Sequence, residues 1–91
     1  MLFKIYFDDS IGMTHIEKHG VGPGEIDEFF TEIRYFEQSR KDNSFTAIGK
    51  LESGRFLQVV YRKIDPETLF IITAFDLQDP DMIAFLKSIE D

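Results

Sequence analysis

At 91 residues, 43% of them hydrophobic and ten of them phenylalanine, the chain is long enough for one hydrophobic core and too short for two, so any site lies on or at the edge of that core. It contains no cysteine, which excludes disulfides, thiolate zinc sites and a thiol nucleophile and fits a reducing cytoplasm. A formal net charge of −7 opposes indiscriminate binding to nucleic-acid phosphates.

The opening "MLFKIYFDDS" reaches acidic residues after seven positions, too soon for a signal peptide. No run of about 18 apolar residues follows that could span a membrane. A soluble, cytoplasmic protein without a membrane partner is expected. "LFKIYF" is aromatic and β-branched enough for a first strand, closed by Asp8 and Asp9. Thr14 and Glu17 then stand in the T-x-x-E spacing of a capping box, which predicts a short helix from about His15 to His19, with Ser10 as a rival cap. Gly20 suits the left-handed position that ends such a helix.

Pro23 can occupy the first turn of a second helix. Ile26, Phe29, Phe30 and Ile33 follow at i, i+3, i+4 and i+7, with Glu25, Asp27, Glu28 and Glu32 interleaved, the pattern of an amphipathic helix. The polar run "EQSRKDN" reads as a loop. "FTAIGKL", "RFLQVVY" and "TLFIITAF" read as three strands joined by the short turns "ESG" and "KIDPE", an antiparallel meander. The second and third of these are nearly continuous in apolar character, which predicts cover on both faces. A last helix follows Pro80, with Met82, Phe85, Leu86 and Ile89 at helical spacing. The order β-α-α-β-β-β-α predicts one α+β domain over residues 1–91, its N-terminal helix pair packed on a four-stranded, mainly antiparallel sheet.

Charge is unevenly placed. Residues 34–63 hold seven basic groups, Arg34, Arg40, Lys41, Lys50, Arg55, Arg62 and Lys63, against three acidic ones, and both flanks are acidic. A basic middle could hold an anion or an oppositely charged partner, or form an ordinary solvated surface. Arg55 and Arg62 differ in parity, so a regular strand points them to opposite faces. They and Lys63 could also pair with Glu52, Glu67 or Asp76. Phe29, Phe30, Phe36, Phe45, Phe56, Phe70 and Phe75 read as core residues.

His15 and His19 are four apart, a spacing able to grip a metal on one helical face, but a third ligand is needed and the chain has no further histidine and no H-E-x-x-H pattern. No metal and no cofactor is expected. The pair reads as helix-boundary chemistry, His19 suiting the negative end of the helix dipole. Lys18 beside His19 offers another reading, a cation and an imidazole acting on a phosphodiester. The serines lack a nucleophile elbow, and "GVGPG" matches neither G-x-G-x-x-G nor the P-loop.

"EKHGV…EIDEFF", a polar loop, "FTAIGKLESGRFLQVVYRK" and "LFIITA", over residues 3–76, resemble the small toxins of the BrnT type within the wider RelE/ParE-like superfamily. The resemblance implies that scaffold, membership of a toxin–antitoxin pair, an antitoxin-like protein partner, and metal-independent cleavage of RNA by basic residues. Lys18, His19 and Arg55 match the positions of catalytic groups, with Arg40, Lys41, Arg62 and Lys63 as further RNA contacts. The chain departs from the pattern where Asn43 and Ser44 replace a basic residue before the "IG" strand, and where Phe75 and Phe70 stand in place of arginines. Two readings follow: a toxin-like RNA-binding or RNA-cleaving protein, or a non-catalytic interaction module, in a stable complex or as a homodimer, that keeps the scaffold and has lost the site.

Overall fold

The structure, a computed structural model, describes residues 1–89. It is α+β, with β1 (Leu2–Ile5), β2 (Phe7–Asp8), β3 (Met13–Thr14), α1 (His15–Lys18), α2 (Pro23–Thr31), β4 (Tyr35–Ser39), β5 (Phe45–Lys50), β6 (Phe56–Asp65), β7 (Thr68–Asp76) and α3 (Pro80–Ser88) in chain order. The main sheet has five strands rather than four, in the order β1-β7-β6-β5-β4. Four of them form an antiparallel meander, and β1 lies parallel to β7.

The extra strand is β4. Its residues 37–39 fall in the stretch expected to be a loop, and only Tyr35 and Phe36 are partly buried. Backbone pairing with β5, from Tyr35↔Gly49 to Ser39↔Phe45, holds this edge strand in place, a force that leaves no apolar pattern in the sequence. The turn after it depends on Asn43 at φ +66°, a left-handed conformation that asparagine tolerates. The predicted first strand is also interrupted. It leaves the sheet at Tyr6, and β2 and β3 form a separate two-stranded ribbon. Ser10 donates to Asp8 within that ribbon and does not cap a helix.

The local signals at α1 and α2 hold. Thr14 and Glu17 form the reciprocal capping box, Gly20 turns at φ +73°, and Pro23 opens α2. Ile16, Val21, Ile26, Phe29 and Phe30 from this helical layer are buried against Ala47, Leu57, Val59, Tyr61, Ile71 and Ala74 of the sheet, whose removal from water drives the packing. Ile72 forms a bulge in β7: Thr73 pairs with Val60 and Ile71 with Tyr61. Leu69, Ile71 and Ala74 thereby all reach the same core despite their mixed parity.

The opposite face is covered in part by α3. Leu86 is buried and the Phe85 ring meets Phe36 edge-on at 5.0 Å. Of the other phenylalanines expected in the core, Phe29 and Phe30 are buried, while Phe36, Phe45, Phe56, Phe70 and Phe75 are half-exposed. No helix among the described residues is long and apolar enough to cross a membrane.

Candidate functional site

Arg55 lies immediately before β6, on the sheet face covered by α1 and α2, and all three nitrogens of its guanidinium are engaged. Nε donates to Asp76 Oδ1 at 2.6 Å. Nη1 donates to both Glu25 carboxylate oxygens at 2.9 and 3.1 Å and to the Gly20 carbonyl at 2.9 Å, while Nη2 reaches the His19 carbonyl at 3.4 Å. The left-handed turn at Gly20 presents those carbonyls. Glu25, in the first turn of α2, also accepts from the Gly22 N–H at 3.0 Å. Asp76, and after it Glu25, raise the guanidinium's pKa above its ordinary value against the opposing cost of burial. Arg55 thus ties the α1–α2 connection to the ends of β6 and β7.

The seven basic or imidazole residues singled out in the sequence do not form one surface. His19 caps α1 and its backbone meets Arg55. Its ring lies edge-on to Phe75 with centroids 5.8 Å apart. Lys18 is exposed in the last turn of α1. Arg62 and Lys63 lie seven or eight residues along β6 from Arg55, about 23 Å or more away at strand rise. As their parity requires, Arg62 and Lys63 serve opposite faces. Arg62 donates to the Asp42 carbonyl at 3.1 Å, beside exposed Arg40 and Lys41 in the β4–β5 turn. Lys63 is held by Glu37 at 3.0 Å and sits over the Phe45 ring at 4.2 Å.

Glu37 is shared. Its other oxygen accepts a hydrogen bond from the buried Tyr61 hydroxyl, and burial, followed by Glu37, pushes the Tyr61 pKa far above its ordinary value. This group borders a hollow of about 420 Å³ with Tyr35 and Leu69. His15 faces away from His19 in partnership: its Nε2 lies 3.1 Å from Asp8 Oδ2 and its ring meets Tyr6 edge-on at 4.9 Å. Among the described residues no group of three or more histidines and carboxylates is placed to hold a metal ion.

Beside the Arg55 knot opens a second hollow, of about 330 Å³, lined by His19, Gln58, Phe75, Asp76, Gln78 and Asp79. Its ionised walls are acidic, so its field favours a cation over a phosphate. Asp76 was visible in the sequence as a pairing partner for the basic residues. Glu25, 30 positions from Arg55, carried no such signal, Gln58 and Gln78 belong to no motif, and the only signal at Asp79 is that of a helix cap before Pro80. Comparison with protein-family models, curated proteins and solved structures finds no significant match.

Proposed function

We propose that this chain is a non-catalytic protein-interaction module that keeps a toxin-like scaffold without RNA-cutting chemistry. The observation that carries this reading is the state of Arg55. Metal-free cleavage of RNA needs cations that contact the phosphate and stabilise the charge developing on it. The Arg55 fork, the best candidate for that task, is already filled by Asp76, Glu25 and two carbonyls. A phosphate would have to displace two carboxylates to reach it. Phe75 and Phe70 stand where the resemblance expects arginines, and the hollow next to His19 is edged by Asp76 and Asp79, which repel a phosphodiester.

The test is direct. Purified protein is mixed with labelled single-stranded RNA and with total messenger RNA at low and moderate salt. The expected result is intact RNA and no binding that weakens as salt rises. Cleavage that disappears in a folded His19→Ala variant, or affinity that falls steeply with salt as phosphate contacts demand, would replace this reading with the toxin-like nuclease.

A further inference from the structure

We infer that the hollow beside His19 is a socket for an arginine side chain presented by a partner protein. The inference rests on the interaction-module reading and gives it a recognition chemistry. The two acids that line the hollow each keep one carboxylate oxygen to spare. Asp76 gives Oδ1 to Arg55 and Asp79 gives Oδ1 to the Asp81 and Met82 N–H groups at the start of α3; the second oxygen of each carboxylate accepts no hydrogen bond among the described residues. Gln58 gives one of its two amide N–H groups to Thr46 Oγ1 at 3.1 Å, and its carbonyl oxygen remains for a guest. The Phe75 ring forms an apolar wall.

Carboxylates, an amide oxygen and an aromatic ring around one hollow suit a flat, donor-rich cation, which is the guanidinium rather than the compact ammonium of lysine. The positive charge of Arg55 does not spoil the site, because Glu25, Asp76 and Asp79 place three carboxylates against it. A protein is the source, because an apolar strip leads away from the rim. Met82, whose N–H is capped by Asp79, begins a line of partly exposed apolar residues along α3 that continues at Phe85, beside Phe36, and just past the helix at Ile89.

Isotope-labelled protein titrated with Nα-acetyl-arginine amide tests the socket, read on the side-chain amide signals of Gln58 and Gln78 and the ring signals of Phe75. Saturable shifts are expected at those groups, with a Kd in roughly the millimolar range for a single side chain. Asp79→Asn, which keeps a capping oxygen and removes the charge, should weaken binding about threefold to tenfold. Phe75→Leu should do the same by removing the ring. Nα-acetyl-glutamine amide and inorganic phosphate should leave the signals unmoved.

The inference is overturned if phosphate or spermidine moves these signals and the arginine derivative does not. It is equally overturned if arginine binds both folded variants as tightly as the parent protein, or moves no signal in the hollow. Cleavage of RNA in the preceding experiment would remove the interaction-module reading without altering this titration, so the two failures are distinguishable.

Discussion

Arg55 Nε meets Asp76 Oδ1 at 2.6 Å, joining the start of β6 to the end of β7, while the same guanidinium reaches across to Glu25 at the start of α2. Arg55→Ala removes that tie and leaves two carboxylates and the Gly20 carbonyl without their donor. Asp76 is more than half exposed, so its share is screened by solvent, and the expected loss is about 2 kcal/mol, mostly from the less exposed Glu25. Chemical denaturation measures it. Arg55→Lys should recover only part, since an ammonium cannot serve both carboxylates and the carbonyls with one planar fork. A loss under about 0.5 kcal/mol, the level of an ordinary surface substitution, would show that the knot is ornamental to the fold.

The contrast between Thr14 and Glu25 explains how much was readable in the sequence. The Thr14–Glu17 box, the Gly20 turn and the Ile26–Phe29–Phe30 stripe act over three or four residues, so spacing alone discloses them. β4 and the parallel β1–β7 pair are fixed by backbone hydrogen bonds to partners distant in sequence, and Glu37, Gln38 and Ser39 carry no apolar rhythm to announce them. The site divides along the same line. The parity of Arg55 and Arg62 correctly separates them onto two faces, but the identity of a charged group's partner is a long-range property. Glu25 looked like one of several acids on the solvent side of a helix.

Tyr61 should make the fold sensitive to alkali. Burial first, and its hydrogen bond to Glu37 second, raise its pKa above the ordinary 10.0. Because the folded value is the higher one, the stabilisation is fully present below pH 10 and is lost as pH climbs further, when the unfolded chain releases a phenolic proton that the folded chain retains. Denaturation midpoints should therefore fall with pH above about 10 in the parent and fall less in Tyr61→Phe. That variant should also lose about 1 kcal/mol near neutrality for the missing hydrogen bond. An ultraviolet titration in which all three tyrosines ionise together near pH 10 would contradict the burial of this hydroxyl.

Asp8 works in the opposite direction. The Ser10 hydroxyl at 2.6 Å, the Ser10 N–H at 3.0 Å and then His15 hold its pKa below 3.8. A depressed carboxyl contributes stability that is complete above its unfolded value and is lost as pH falls through the folded one. The β2–β3 ribbon should accordingly loosen only below pH 3.8. Carboxyl-carbon NMR should place the Asp8 midpoint under that value, and Ser10→Ala should move it upward. A midpoint at or above 3.8 in the parent protein would mean that the Ser10 and His15 contacts are not formed in solution.

Gly49 lies close beneath the end of α2 and the residues that follow it. A methyl group added there would sit 2.9 Å from Ile33 Cδ1, 3.0 Å from the Phe29 ring and 3.3 Å from the Arg34 carbonyl oxygen. The Ile33 tip can swing aside, but Phe29 is fully buried and the carbonyl belongs to the chain leading into β4. Gly49→Ala should therefore cost about 1–3 kcal/mol through overpacking, more than the small gain alanine brings to a strand by stiffening the unfolded chain. Denaturant unfolding reads the sum. Because Phe29 stacks on Tyr35 at 5.4 Å, the displacement should pass to β4, and its amide protons should exchange faster in the variant than in the parent protein. Equal or greater stability in Gly49→Ala would mean that α2 stands farther from β5 than these distances require.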